Sequence, residues 1–254
     1  MNRSAWLAHL HSNDRARLRL LCLPYAAGGA SLYRFLARVL PGTVLEGLDI
    51  WAVEYPGHGE RHSEAPLRDF SSLSDVLTDA ADFLLAQETV LFGYSLGAML
   101  GFEIARRWRD RTGGSPSALL VAACAAPQFT TPGPDVTSSP SALADFLGWQ
   151  DAEAARSVAQ RWPWFQAVFG LRRTYSYTPG QPLACPITAF GGADDTDVSE
   201  EALAGWSAQS ALMGSFAYHL LPGQRHLFLR DPLFLRLLGR SLQSYVELPQ
   251  FQTV

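Results

Sequence analysis

The sequence predicts an α/β fold, a doubly wound and mostly parallel sheet covered by helices on both faces. Short apolar runs alternate along the chain with longer amphipathic stretches, which is the pattern of strands joined by right-handed helical crossovers. Most of the runs are apolar on both faces, as strands in the middle of a parallel sheet must be. The predicted strands are 18–24, 48–54, 89–94, 118–125, 186–191 and 216–221.

Helices are predicted between these strands, and two of them have start signals. Ser72 is followed three residues later by Asp75, which is the spacing of a capping box. Ser199 precedes two glutamates, whose negative charges suit the positive end of a helix dipole. The predicted helices are 31–40, 72–87, 96–111, 199–212 and 231–246.

Composition and charge exclude several classes of protein. The 254 residues carry 20 basic and 24 acidic side chains, a net charge of -4, which argues against a nucleic-acid partner. Every basic residue is Arg, so neither a Schiff-base lysine nor a P-loop lysine is available. No run approaches the ~18 apolar residues of a membrane span, and the N-terminus lacks the apolar core of a signal peptide. We therefore expect a cytoplasmic protein with no membrane partner.

Three cysteines, Cys22, Cys124 and Cys185, are too few and too scattered for a disulfide framework or a zinc site. Each lies in or beside an apolar run, so we expect buried, reduced thiols. The sequence indicates no metal centre.

The strand–helix alternation breaks once, over about residues 127–182. This stretch begins with a connection rich in Pro, Ser and Thr and continues as helix-like segments with many aromatic residues. An insertion of this size between two strands is typical of a lid, although a helical decoration packed on the core is the alternative. We predict one domain over residues 1–254, with a lid insertion.

The sharpest motif is Gly93-Tyr94-Ser95-Leu96-Gly97. A G-x-S-x-G pattern is weak by itself, and a simple Gly-Ser helix cap would also produce it. Here it ends an apolar strand and opens a helix, which is the context of a nucleophile elbow. The glycines are expected because side chains at their positions would collide with the neighbouring strand and helix. Ser95 is therefore the candidate nucleophile.

A serine nucleophile needs a basic histidine, and six histidines are available. His9 and His11 lie in the N-terminal arm, His58 and His62 follow the second predicted strand, and His219 lies within the last strand. His226 follows that last strand in a loop before the final helix. In the chain order Ser, Asp, His the base comes from this loop, so His226 is the candidate base.

The carboxylate that orients the base should follow a late strand. The loop after the strand at 186–191 offers Asp194, Asp195 and Asp197. Asp195 stands far enough past the strand end to turn back towards a neighbouring histidine, and we prefer it. The loop after the preceding strand reads Ala-Ala-Pro at 125–127 and offers no carboxylate.

Acyl transfer also needs donors for the oxyanion of a tetrahedral intermediate. The backbone N–H of Leu96 is one candidate, because it follows the nucleophile at a helix N-terminus. The Gly-rich loop after the first predicted strand offers the second, and Ala26 N–H is our choice. Such loops also bind phosphates, but this one lacks the G-x-G-x-x-G spacing of a dinucleotide site.

Taken in order, LCLPYAAGGASLYRFLA, VEYPGHGER, LFGYSLGAMLGFEIAR, PITAFGGADDTDVSEEALAGW and LLPGQRHLFL resemble the motifs of type II thioesterases, which have the α/β-hydrolase fold. These are editing hydrolases of polyketide synthase and nonribosomal peptide synthetase pathways, and the resemblance covers about residues 18–246. It implies a triad of Ser95, Asp195 and His226, with Ala26 as the first-loop oxyanion donor. The chain departs from the family in Ala27, where glycine is usual, and in a base loop, 222–226, that is one residue longer.

The resemblance also implies a substrate and a partner. The substrate would be an acyl group on the phosphopantetheine arm of an acyl or peptidyl carrier domain, and the enzyme would need no cofactor and act as a monomer. Because carrier domains present acidic surfaces, four arginines near the expected entrance form a candidate docking patch: Arg61, Arg172, Arg173 and Arg225. The triad alone also fits a carboxylesterase or lipase. A cyclising thioesterase is disfavoured, because its carboxylate commonly follows the earlier strand, where this chain reads Ala-Ala-Pro. A catalytically silent binding module is a further alternative.

Overall fold

The computed structural model describes residues 5–130, 138–146 and 152–247. Its centre is a seven-stranded sheet with the order β1-β3-β2-β4-β5-β6-β7, in which β1 runs antiparallel to β3 and every other neighbouring pair is parallel. The α/β prediction is confirmed. The strands are β1 (Leu7–His11), β2 (Leu18–Leu23), β3 (Leu48–Val53), β4 (Thr89–Tyr94), β5 (Ala118–Ala122), β6 (Ile187–Gly192) and β7 (Phe216–Leu221).

The central strands are buried on both faces because their side chains alternate between two apolar layers. Leu21 and Leu91 belong to a cluster on one face of the sheet, and Leu20 and Phe92 belong to a cluster on the other. Each of these four side chains is fully buried. This arrangement explains why the sequence shows unbroken apolar runs at these strands.

Helices cover both layers. The long helices α3 and α4 and the short α8 pack on one face, whereas α1, α2 and α9 pack on the other. Among the described residues no helix is long and apolar enough to cross a membrane. The helices are α1 (Leu36–Val39), α2 (Gly42–Leu45), α3 (Phe70–Leu85), α4 (Leu96–Thr112), α5 (Pro140–Phe146), α6 (Ala152–Gln160), α7 (Trp162–Gly170), α8 (Glu200–Ala204) and α9 (Pro232–Glu247).

The strand order reverses next to β2, since β3 lies on one side of it and β4 on the other. The loops that follow β2 and β4 therefore leave the same edge of the sheet towards opposite faces. Such a switch point opens a crevice at the carboxyl ends of the strands, where α/β proteins bind ligands. The predicted nucleophile and the predicted oxyanion loop both lie at this crevice.

The predicted insertion lies between β5 and β6, and most of its described residues are helical, except for an irregular stretch over 175–182. It contains α5, α6 and α7, followed by a 3₁₀ turn over Leu171–Thr174. Its parts at 131–137 and 147–151 lie outside the described residues. Leu143, Val158 and Phe165 form a small apolar cluster within it, separate from the two layers of the sheet.

Several boundaries differ from the sequence prediction. Helix α3 begins at Phe70, and its N-cap is Asp69, whose carboxylate accepts a hydrogen bond from the Ser72 N–H; the predicted cap at Ser72 is wrong. The Ser199 cap is confirmed, because its hydroxyl accepts from the Ala202 N–H. The predicted helices at 31–40 and 199–212 are instead short α-helices combined with 3₁₀ turns. Strand β1 was not predicted.

Candidate active site

Ser95 lies at a sharp turn between β4 and α4, with backbone angles of φ 51° and ψ -115°. A positive φ is strained for a non-glycine residue and is common at functional sites. The flanking glycines permit the turn: a Cβ on Gly93 would lie 2.3 Å from the Gly97 carbonyl oxygen. A Cβ on Gly97 would lie 2.0 Å from the Leu23 carbonyl oxygen. The predicted steric reason for the motif is therefore confirmed.

The three predicted triad residues meet at the crevice. His226 Nε2 lies 3.0 Å from Ser95 Oγ, and His226 Nδ1 lies 2.9 Å from Asp195 Oδ2. Only 10% of the His226 side chain and 1% of the Asp195 side chain are exposed to solvent. In this geometry Nδ1–H donates to the carboxylate, which leaves Nε2 free to accept the proton of the serine hydroxyl.

The long loop before His226 fits because Gly192 has no side chain. A Cβ on Gly192 would lie 2.3 Å from the Gln224 carbonyl oxygen and 2.4 Å from that of Arg225. The Asp194 N–H also donates to the Gln224 carbonyl at 2.9 Å. The loop after β6 and the loop after β7 thus lie directly against each other, and the extra residue leaves His226 in hydrogen-bonding position.

The structure also separates the three candidate carboxylates. Asp194 is exposed to solvent. Asp197 donates its N–H to Asp195 Oδ1 at 2.9 Å and so helps to orient the carboxylate that contacts His226. Burial raises the pKa of the Asp197 carboxyl, and its Oδ2 atom is buried with no hydrogen-bond partner among the described residues. Asp195 is therefore the carboxylate placed to orient the base.

The two predicted oxyanion donors lie on adjacent loops. Leu96 is the first residue of α4, and Ala26 belongs to the loop after β2, which pairs with β4. The Tyr25 carbonyl accepts from the Gly28 N–H at 2.8 Å, so the trans peptide directs the Ala26 N–H the opposite way. No described residue accepts a hydrogen bond from the Ala26 or Leu96 N–H. Both remain available to a ligand.

Tyr94 is a structural element of the site that the sequence analysis did not single out. Its side chain is fully buried, and its hydroxyl donates to the His226 carbonyl at 2.7 Å and accepts from the Phe228 N–H at 2.7 Å. The residue before the nucleophile thus holds the loop that carries the base. The only sequence signal is its position inside the G-x-S-x-G motif.

The remaining histidines lie in other settings. His9 stacks on Trp51 with ring centroids 3.9 Å apart, and His219 on β7 stacks on Phe190 of the neighbouring β6. His62 is exposed. His58 is buried beside Ala26, with its Nε2 atom 3.1 Å from the Ala26 carbonyl oxygen.

Arg61 does not belong to the candidate docking patch. Its guanidinium lies 4.0 Å from the centroid of the Trp6 ring and donates to both carboxylate oxygens of Glu64, and only 10% of its side chain is exposed. Arg173 and Arg225 are exposed, and Arg172 is half-buried.

Among the residues that the structure describes, one group of side chains has metal-ligand spacing. Asp195, Asp197 and His226 place ligand atoms within 4.8 Å of one another. Two of these three are already joined by a hydrogen bond, and His226 also faces Ser95, so the group is accounted for by the triad. The three cysteines are buried and free, as predicted.

The chain is similar to known proteins in both sequence and fold. The chain is 30% identical over 236 residues to the gramicidin S biosynthesis protein GrsT of Aneurinibacillus migulanus. The aligned region covers 89% of this chain and 88% of GrsT. The type II thioesterase BorB from the borrelidin biosynthetic cluster superposes with a TM-score of 0.80 at 31% identity, over 94% of this chain and 98% of BorB. The RedJ thioesterase of the prodiginine pathway in Streptomyces coelicolor superposes with a TM-score of 0.80 at 30% identity, over 94% of this chain and 90% of RedJ.

The thioesterase domain family matches residues 18–239, which includes the whole triad. Because this match spans most of the chain and its relatives are similar over nearly their full lengths, the chain belongs to the thioesterase domain family, as its motifs predict.

Proposed function

We propose that this protein is an editing thioesterase, which hydrolyses acyl groups from the phosphopantetheine arm of carrier domains through an acyl-enzyme on Ser95. The observation that carries the proposal is the continuous chain of hydrogen-bonding contacts from Ser95 through His226 to Asp195. The similarity to BorB and GrsT supports the thioester substrate and the biosynthetic setting. No cofactor is required, because the chain itself supplies nucleophile, base and oxyanion donors.

The first half-reaction forms the acyl-enzyme. Ser95 Oγ attacks the thioester carbonyl carbon while His226 Nε2 takes the hydroxyl proton. The oxyanion that develops accepts hydrogen bonds from the Ala26 and Leu96 N–H groups. When the intermediate collapses, the carbon–sulfur bond breaks and His226 returns its proton to the departing pantetheine thiolate.

The second half-reaction releases the acid. His226, again neutral, takes a proton from a water that attacks the acyl-enzyme carbonyl. The same two N–H groups stabilise the second oxyanion. The collapse of this intermediate breaks the ester bond to Ser95, and His226 gives its proton to Ser95 Oγ, which regenerates the hydroxyl. Asp195 stays ionised throughout and stabilises the imidazolium that forms in each half-reaction.

A small apolar cavity lies beside the oxyanion donors, with a free volume of about 10 Å³, and it would have to widen to admit an acyl chain. Ala26 and Leu96 line it on one side, and Val168 and Leu171 from the insertion line it on the other. The remaining lining is mostly apolar and comes from the loop after β3 and from α3: Tyr55, Pro56, His58, Pro66, Leu67 and Leu73. Such a lining favours apolar acyl groups, and the part of it that the insertion supplies supports the proposed role of a lid.

The test is an intact-mass assay of acylated carrier protein, run with the wild type and with Ser95→Ala. The wild type should return the carrier to its free-thiol mass, and Ser95→Ala should not. A serine-directed fluorophosphonate should label Ser95 alone. An enzyme that cleaves the matched oxyester but leaves the acyl-carrier untouched would be a carboxylesterase, and labelling at another residue would disprove the assigned nucleophile.

A further inference from the structure

The loop after β3 holds the oxyanion loop in place. The Tyr55 hydroxyl, which is buried, donates to the Pro24 carbonyl at 3.0 Å. The carbonyl oxygen of Ala26 lies 3.1 Å from His58 Nε2. The carbonyls on both sides of the Tyr25–Ala26 peptide, which carries the candidate oxyanion donor, are therefore anchored by one neighbouring loop.

The His58 ring is placed to donate a hydrogen bond to Ala26. Only 6% of the residue is exposed, and burial lowers the pKa of its imidazole, although the contacts with the Pro56 and Ala26 carbonyls oppose the shift. A neutral imidazole carries a single N–H. Its two nitrogens face the carbonyl oxygens of Ala26 at 3.1 Å and Pro56 at 3.2 Å. The tautomer with the proton on Nε2 donates to Ala26.

The other side of His58 contacts the insertion. The rings of His58 and Trp164, on helix α7, have centroids 4.7 Å apart. Gly57 permits this close packing, because it has a φ of +82° and a Cβ on it would lie 2.4 Å from Trp164 Nε1. That nitrogen is buried with no hydrogen-bond partner among the described residues, so the contact is one of packing alone.

The insertion reaches the oxyanion loop a second time. The half-buried Ala27 packs against the apolar cluster of Leu143, Val158 and Phe165. Type II thioesterases usually have glycine at this position, so it is the methyl group of Ala27 that makes the contact. The insertion and the oxyanion loop are thus in contact both directly, at Ala27, and through His58.

We propose that His58 is a positioning residue, which lies between Trp164 and Ala26 and orients the Ala26 N–H according to the location of helix α7. It touches neither the reacting carbonyl nor the proton that moves during catalysis. The inference rests on the proposed function in one respect, the role of the Ala26 N–H as an oxyanion donor. Its consequence is that the oxyanion hole is complete only when α7 is docked.

A matched pair of substitutions tests the hydrogen bond to Ala26. Glutamine can place an N–H near the position of Nε2, whereas methionine has the same length and no donor. His58→Gln should keep kcat within about threefold, and His58→Met should lower kcat by about 10- to 100-fold with little change in KM. Loss of an oxyanion donor acts on the transition state and not on substrate binding, so its effect is expected in kcat.

His62, exposed on the same loop, provides the control. His62→Gln and His62→Met should both match the wild type. Equal loss of kcat in His58→Gln and His58→Met would overturn the proposal, because it would indicate a packing role. A loss confined to KM would also overturn it, because His58 would then act only as a wall of the acyl cavity.

A double-mutant cycle tests the coupling to α7. Trp164→Phe keeps a ring against His58 and should leave kcat unchanged. Trp164→Ala should lower kcat in the wild-type background and have little further effect in the His58→Met background, because both changes act on the same hydrogen bond. Independent, multiplicative losses would overturn the coupling.

The reactions should be followed with an acyl-N-acetylcysteamine thioester and with a matched oxyester. Failure of the wild type on the thioester would contradict the proposed function. The ratio between His58→Gln and His58→Met can still be measured on the oxyester, since both substrates use the same oxyanion hole. The two proposals therefore fail in distinguishable ways.

Discussion

The hydroxyl of Tyr94 is hydrogen-bonded to the backbone carbonyl of His226 at 2.7 Å, which joins the nucleophile turn to the loop of the catalytic base. The same hydroxyl accepts the Phe228 N–H at 2.7 Å. These bonds are buried and connect residues more than 130 positions apart in the chain. The relative placement of Ser95 and His226 therefore depends on a side chain that does not take part in the reaction.

Tyr94→Phe should weaken both the fold and catalysis. It removes the hydroxyl that bonds to a buried carbonyl and a buried N–H, and the loss of such a bond at a buried group costs about 1–3 kcal/mol. We expect unfolding at lower urea concentration and a fall of about tenfold in kcat, because small displacements of a catalytic base are costly. Tyr25→Phe is the control, since the Tyr25 ring packs on Tyr94 at 5.9 Å but its hydroxyl bonds to no described residue. Full kcat in Tyr94→Phe would contradict the role assigned to this bond.

Asp195→Asn should be the most damaging of three isosteric substitutions in the loop after β6. An asparagine favours the wrong imidazole tautomer of His226, and we expect kcat to fall by about 10³- to 10⁴-fold. Asp194→Asn should have little effect because that side chain is exposed. Asp197→Asn should cost less than tenfold, because its contribution to Asp195 comes from the backbone N–H. Steady-state kinetics on one thioester would check the order, and a larger loss at Asp197 would reassign the carboxylate.

The residues of the triad could be predicted from the sequence because local patterns specify them. A strand buried on both faces gives an unbroken apolar run. The catalytic residues lie just after the carboxyl ends of such strands, as Ser95 does after β4 and Asp195 after β6. Strand β1 lacks that signal: it pairs on one side only, at the edge of the sheet, and alternates polar His9 and His11 with apolar residues.

Long-range contacts could not be predicted in the same way. The bonds from Tyr94 to His226 and from His58 to Ala26 depend on which loops the strand order brings together. The cap of α3 illustrates a local failure, because Asp69 and Ser72 are both good capping residues and only the path of the chain selects Asp69. Similarly, the charge and the position of Arg61 in the sequence suggest a docking residue, but its guanidinium packs on the Trp6 ring.

Glu54 should make the stability of the protein depend on pH. Burial raises the pKa of its carboxyl above the ordinary value of 4.5, although a hydrogen bond from the Ala30 N–H opposes the shift. Between the unfolded and the folded pKa the folded state binds more protons, so the free energy of unfolding should fall as pH rises through that window. Glu54→Gln removes this component while it keeps an acceptor for Ala30.

Urea unfolding of the wild type and of Glu54→Gln from pH about 4 to about 8 measures the effect. The stability of the variant relative to the wild type should increase with pH. Glu46→Gln, at an exposed glutamate whose charge does not contribute to the shift of Glu54, controls for the loss of one negative charge. A constant difference between wild type and Glu54→Gln across the range would contradict the prediction.

Arg173 is the best-placed residue for testing the predicted docking of an acidic carrier domain. It is exposed at the end of the insertion, whereas Arg61 is packed on Trp6 and the Nε atom of Arg172 is buried. Arg225 is exposed as well, but it adjoins His226. Its positive charge also opposes the rise that burial causes in the pKa of Asp197, so a reversal of this charge would disturb the triad. Arg173→Glu therefore separates docking from chemistry better than the other substitutions.

Arg173→Glu should raise the KM for an acyl-carrier substrate by about threefold to tenfold at low salt, and the difference should shrink as salt is added. Hydrolysis of an acyl-N-acetylcysteamine thioester should be unchanged, because that substrate makes no protein–protein contact. Arg240→Glu makes the same change of charge at an exposed position on α9, which packs on the sheet face opposite to α3 and α4, and it should leave both reactions as in the wild type. If Arg173→Glu impairs both substrates equally, then Arg173 stabilises the insertion and does not bind the carrier. If it impairs neither, the carrier docks on another surface.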